Sequence, residues 1–254
     1  MSGSFKPKIY VDRIEDAAKA TGWTIRYLSK CGDVTRPWLQ RAATLGDAAP
    51  SLYISAGIHG DEISGPMAIL KMLRDREFFA DFNVTIFPIL NPDGLAQNLR
   101  VNAAGIDLNR DYRNSKSQEI ASHIEALKTL GKYDAAMMLH EDFEGIGAYL
   151  YELNDDTSLG LKIISAMGQH IPIDLRPIIE DVPAAGGIIS RKDLLRIHGN
   201  IEERPDWPEA IYLSVNHTKI SYTTETPKPF PLENRIEAQI AAVITLMKAL
   251  TQAR

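Results

Sequence analysis

The chain has 254 residues, 44% of them hydrophobic, enough to bury a full core. Its 28 basic and 33 acidic residues leave a formal net charge of −5, which gives no support to a nucleic-acid or anionic-membrane partner. A single cysteine, Cys31, excludes an internal disulfide framework and any CxxC metal site, so a metal site would have to be built from His and carboxylates.

Residues 1–20 lack the apolar core of a secretory signal, and no run approaches the ~18 apolar residues of a transmembrane helix. The expectation is a soluble, cytoplasmic protein. In chain order, residues 11–21 have helical spacing, and "WTIRYLSK" and "WLQRAATLG" alternate like a strand pair. "SLYISAG" reads as a buried strand and 66–76 as a helix. "NVTIFPIL" is a second apolar strand ending at "NPDG", a turn signal. Residues 117–130 are amphipathic, "YDAAMMLH" is another buried strand, and "GAYLYEL" continues the sheet. A helix over 156–170 follows behind an Asp or Thr cap. The Gly-rich "VPAAGGIIS" is expected either as a mobile loop hinged at Gly186 and Gly187 or as an ordinary surface connection. "KISYTTETP" is a late strand and 232–251 a closing helix.

With no linker, repeat or low-complexity block, the pattern predicts one α/β domain over 1–254. Near-continuous apolar strands separated by helices imply a doubly wound, mostly parallel mixed sheet with helices on both faces. Ligands in such sheets bind just outside the carboxyl ends of the strands.

Three strand ends carry chemistry. "SAGIHGDEISG" places His59 and Glu62 three apart after one strand; His140 follows 133–139; Glu225 follows 219–224. A catalytic zinc commonly takes two His, one Glu and water. A spacing of three lets His59 and Glu62 turn to one point, His140 completes the set from a neighbouring strand, and Glu225 is left as general base. Singly, the pair is also compatible with a surface contact, His140 with a core histidine and Glu225 with a turn contact.

The stretch "NPDGLAQNLRVNAAGIDLNRDY", together with "GIHGDE", resembles the zinc carboxypeptidases, and the matching pieces run in order from about residue 50 to 227. The resemblance implies one zinc per chain, bound by His59, Glu62 and His140. It further implies that Arg100 stabilises the oxyanion, Asn109 and Arg110 grip a terminal carboxylate, and Asp107 orients His59. Glu225 would take a proton from the zinc-bound water and hand it to the leaving amine. Large digestive members carry a tyrosine about twenty residues before that Glu, whereas position 203 here is Glu. The nearest candidates are Tyr212 and Tyr222; Tyr212 could stand in if the intervening loop is shortened, and simple packing is the other reading. The acidic "EDFEG" after His140 puts Glu141, Asp142 and Glu144 at the site or on its rim.

The short interval from Glu62 to His140 resembles the compact bacterial murein-peptide amidases. The expected substrate is therefore a small peptide or peptide-like amide with a free carboxylate. The alternative is a succinylglutamate desuccinylase/aspartoacylase-type enzyme acting on an N-acyl amino acid. A binding module without turnover would have lost a ligand or the base, and all are present. His123, His170, His198 and His217 have no usable partner spacing and are taken as structural.

Overall fold

A computed structural model describes residues 5–44, 46–154 and 158–252. Helix α1 (Pro7–Thr21) leads into a hairpin of β1 (Thr24–Cys31) and β2 (Val34–Arg41). Next come β3 (Ser51–Ala56), α2 (Ser64–Leu73), β4 (Asn83–Phe87), the short α3 (Pro92–Gln97) and α4 (Gln118–Lys128). The second half runs through β5 (Ala135–Asp142), β6 (Tyr149–Glu152), α5 (Ser158–Met167), β7 (Ile178–Ile179), β8 (Val182–Pro183) and β9 (Ile188–Ser190). It closes with α6 (Arg191–His198), α7 (Glu209–Asn216), β10 (Ser221–Pro227) and α8 (Leu232–Gln252).

Eight strands make one sheet in the order β1-β2-β4-β3-β5-β10-β6-β9, while β7 and β8 pair separately. The inner four, β4-β3-β5-β10, are parallel, and antiparallel pairings join β1 to β2, β2 to β4 and β6 to β10. This is the mixed, mostly parallel sheet with helices on both faces expected from the sequence. Successive β3 side chains enter opposite cores, as a strand period of two requires. Leu52 and Ile54 pack with α2 and α8 residues such as Ile69 and Leu246. Tyr53 instead packs with Ile120 of α4 and Leu213 of α7. Leu52, Tyr53 and Ile54 are fully buried, each side chain contributing about 1.5–3 kcal/mol of hydrophobic stabilisation.

Several boundaries differ from the sequence expectation. β5 and β10 run on through His140 and Glu225 rather than stopping before them, because parallel pairing continues from Glu225↔His140 to Pro227↔Asp142. "NPDG" opens helix α3 instead of making a simple turn: Asn91 caps it by accepting from Gly94 N–H, and Pro92 takes the first turn. The 182–190 stretch forms β8 and β9 rather than a plain loop, with Gly186 and Gly187 at positive φ between them. Helix α5 is present, but its expected Asp or Thr cap lies outside the described residues. Among the described residues, no helix is long and apolar enough to cross a membrane.

Candidate metal centre

The turn after β3 is held by the α3 segment. Gly57, at φ +65, accepts backbone hydrogen bonds from Leu90 and Asn91 (3.2 and 2.8 Å). Asn91 Nδ2 donates to the Ile58 carbonyl (3.2 Å), and Gly60 N–H donates to the Arg100 carbonyl (3.3 Å). At Gly60 a Cβ would come within 2.0 Å of the Gly94 backbone, so neither strand-end turn nor helix start can thicken there. The glycines of "GIHGDE" therefore serve close approach, which fixes where His59 and Glu62 point.

Those two side chains converge with His140. His59 Nδ1 lies 2.6 Å from Glu62 Oε1 and His140 Nδ1 lies 3.0 Å from Glu62 Oε2, with the two rings 5.0 Å apart. One ligand atom from each of the three falls within 4.8 Å of the others, and all three residues are buried. Glu62 Oε2 nevertheless has no aligned hydrogen bond, an orphaned buried oxygen of the kind a cation satisfies. Two nitrogens and a carboxylate facing one point fit zinc's donor preference. Burial opposes the Glu62 charge, but the two histidines outweigh it and hold the carboxyl far below its usual range. Burial likewise opposes a charged His59, and Glu62 and Asp107 overcome it, so the pocket favours positive charge at this point.

Asp107 Oδ1 lies 3.2 Å from the other ring nitrogen of His59 and accepts from Asn109 N–H (2.9 Å); its Oδ2 accepts from Arg100 Nε (3.0 Å). A carboxylate on the far nitrogen of a ligand histidine sets its tautomer and ring orientation. Arg100 Nη1 stands 3.8 Å from Glu62. On the other side, Glu225 sits level with His140 across the β5–β10 pairing. Its carboxyl is pushed well above the usual range chiefly by burial, against the opposing His140 charge, with Glu62 and Asp142 also raising it and Arg100 lowering it.

A cavity of about 400 Å³ opens over these groups, lined also by Arg100, Asn109 and Arg110. Asn109 Oδ1 is committed to the Glu209 N–H at the start of α7 (2.9 Å), so its amide donors are what remains for a ligand. Tyr212 does not line the cavity. Its ring packs on Tyr112 and His217, with centroids 5.6 and 5.9 Å apart, and the packing reading is the one the structure supports. Glu141 and Asp142 both line the cavity; Glu141 is committed to Arg235 and to Ser64 N–H (2.8 Å), and Asp142 accepts from Tyr149 (3.3 Å).

The sequence did not point to Tyr149, Tyr151 or Arg204, which also line the cavity. For the tyrosines a signal existed: they alternate on β6 and pair with Glu225 and Thr223 of β10, which puts them on the cavity face. Of the histidines left as structural, His198 lines the cavity from α6, and His123 is wholly buried between Tyr53 and Tyr112.

Residues 48–173, just under half of the chain, match the family model of the succinylglutamate desuccinylase/aspartoacylase catalytic domain. No curated protein matches the chain in sequence. Among solved structures, a candidate metallopeptidase from Shewanella denitrificans OS217 has a TM-score of 0.81 at 23% identity, over 94% of this chain and 88% of that one. Another from Shewanella amazonensis SB2B gives 0.81 at 24%, over 95% and 92%. A metallo-carboxypeptidase from Pseudomonas aeruginosa, in complex with (2-guanidinoethylmercapto)succinic acid, gives 0.68 at 18%, over 96% and 69%. These likenesses establish a shared fold.

Proposed function

We propose that the chain is a zinc-carboxypeptidase-like enzyme, a zinc-dependent hydrolase that cleaves an amide bond next to a free carboxylate in a small peptide or peptide-like substrate; the family model over 48–173 and the shared fold support this reading. The observation that carries this is the convergence of His59, Glu62 and His140 beside Glu225, under a cavity also lined by three motif residues. Nδ1 of His59, the Glu62 carboxylate and Nδ1 of His140 would hold one zinc ion. Bound there, zinc supplies a Lewis acid that polarises the scissile carbonyl and acidifies water.

Glu225 takes up the proton of the attacking water on its carboxylate and returns it to the leaving amine. Its raised proton affinity, caused by burial and by Glu62 and Asp142, favours the first transfer. Arg100, held by Asp107, faces the developing oxyanion with a fixed positive charge. The Arg110 guanidinium and the free amide donors of Asn109 hold the carboxylate that defines the cleaved end. A cavity of about 400 Å³ suits a small substrate rather than a long peptide. The unit spans 1–254, and its lone, buried cysteine accords with a reducing compartment, the cytoplasm.

A second reading, an N-acyl amino acid deacylase, is favoured by the family model that matches residues 48–173. The test is a substrate panel on zinc-loaded chain with a chelator control: short peptides with acidic, basic and apolar C-termini, murein tripeptide, N-acetylaspartate and N-succinylglutamate. Chelator-sensitive release of a C-terminal residue supports the peptidase, cleavage of N-acyl amino acids alone supports the deacylase, and silence overturns both. Glu225→Gln should lower turnover by about 10²–10⁴-fold with zinc still bound; unchanged turnover refutes the base.

A further inference from the structure

One wall of the cavity comes from a segment that the recognised motifs do not include. Arg204 lines the cavity together with Arg110. Both guanidiniums rest on one carboxylate: Asp206 Oδ2 is 3.2 Å from Arg204 Nη2 and 3.6 Å from Arg110 Nε, and Asp206 Oδ1 is 3.3 Å from Arg204 Nε. Asp206 itself is not part of the cavity lining. It braces the two cations and leaves their other donors to the cavity. Among the described residues, Arg110 Nη2 and Arg204 Nη1 make no hydrogen bond, and Asp206 is the carboxylate that both arginines pair with, while Asp107 feels the Arg110 charge from farther off. The two guanidiniums thus share Asp206 and each keeps a free Nη group with which to meet a carboxylate.

The backbone beneath Arg204 is equally well held. Arg113 Nη1 donates to the carbonyls of Glu202 (2.6 Å) and Arg204 (2.8 Å), with its guanidinium 5.2 Å from the centre of the Trp207 ring. Asn114 Nδ2 donates to the Pro205 carbonyl (3.0 Å), and Trp207 Nε1 to Glu202 (3.1 Å). Arg113 and Asn114 stand three and four residues after Arg110, so the strap that ties down Arg204 continues from the one that carries Arg110. A donor held this firmly loses little freedom when it binds.

We propose that Arg204 is the second arm of a carboxylate clamp, acting with Arg110 on the free carboxylate of the substrate while Asp206 braces both. The proposal rests on the role given above to Arg110 and deepens it. It names a binding residue outside the motifs, and it ties affinity to a planar guanidinium at that position.

The experiment uses the zinc-loaded full chain, with (2-guanidinoethylmercapto)succinic acid as the carboxylate probe in calorimetric titrations of wild type, Arg204→Gln and Arg204→Lys. Arg204→Gln is expected to weaken probe binding by about 10- to 100-fold, the range for losing a charged hydrogen-bond partner. Arg204→Lys should recover only part, because an ammonium restores the charge without the fork. Zinc stoichiometry and melting temperature should stay at wild-type values. On a cleaved panel substrate, Arg204→Gln should raise KM with kcat nearly unchanged. Probe affinity equal to wild type in Arg204→Gln overturns the clamp, as does absence of probe binding by wild type. If wild type cleaves nothing in the panel while Arg204→Gln still weakens the probe, the hydrolase reading fails and the clamp stands. Cleavage with KM and probe affinity unaltered in Arg204→Gln leaves the hydrolase reading and removes the clamp.

Discussion

Replacing Asp107 by asparagine separates charge from shape at the point where the proposed metal ligands meet Arg100, the proposed oxyanion holder. One carboxylate serves three donors: the far nitrogen of His59 (3.2 Å), Asn109 N–H (2.9 Å) and Arg100 Nε (3.0 Å). Asparagine has one acceptor oxygen. If that oxygen stays with His59 and Asn109, the new amide N–H₂ faces the Arg100 guanidinium, donor against donor. If the amide flips, His59 loses the acceptor that sets its tautomer. His59 also loses an anionic neighbour in either case, and with it part of its basicity as a ligand. Loss of such a partner costs about 10- to 100-fold in metal affinity, or ~1.4–2.7 kcal/mol. The assay is competition for zinc between the protein and a chromogenic chelator at neutral pH, on wild type and Asp107→Asn. A zinc affinity indistinguishable from wild type would show that His59 needs no anionic partner, and the reasoning would fail.

Two further outcomes are expected. Gly60→Ala forces a Cβ into the Gly94 backbone, 2.0 Å away, where no flexible side chain can yield; the expected loss exceeds the ~1–3 kcal/mol typical of overpacking, and a urea midpoint like that of wild type would contradict it. His123 accepts from Tyr112 and donates to Tyr53, whose hydroxyl donates to Glu209 (2.5 Å), and burial pushes its pKa well below the usual value, with the Arg36 and His217 charges adding. The native chain therefore takes up this proton less readily than the unfolded chain. Its contribution is fully present above the usual imidazole pKa of about 6.5 and is lost as pH falls below it, by up to ~1.4 kcal/mol per pH unit. Between neutral and mildly acid pH, wild type should lose more unfolding free energy than His123→Gln; equal slopes would refute the assignment.

What could be read ahead of the structure follows from how local each signal is. The strand 51–56 and the "GIHGDE" turn stand in one continuous stretch, apolar run followed by ligands, so both were visible in the sequence. His140 and Glu225 were visible as polar residues after apolar runs. Their place inside the strands was not, because strand length there depends on pairing between segments about 85 residues apart. Asn-Pro serves equally as a turn and as a helix cap with its first residue, and the capping bond from Gly94 N–H to the Asn91 side chain shows which. Tyr212 looked eligible on spacing alone. Its ring direction is set by Tyr112 and His217, contacts that no local pattern encodes. Arg204 is the converse case: a charge in an unremarkable loop that becomes a cavity residue only through Arg113, Asn114 and Asp206.

The pairing of Glu225 with His140 has a consequence for how this chain can vary. Adjacent strands lie about 4.8 Å apart, so backbone hydrogen bonds rather than side-chain contacts set the separation of the proposed ligand and the proposed base. Side chains alternate between faces, so sliding either strand by a single residue turns its functional group away from the cavity and into the helices behind the sheet. Point changes in β5 or β10 alter one contact each. Adding or deleting one residue between the start of either strand and its functional side chain would take the proposed ligand or base out of the site, leaving the rest of the composition intact. Length within these two short segments is thus under tighter constraint than identity at most of their positions, whereas the connection from β6 to β9 stands outside that constraint.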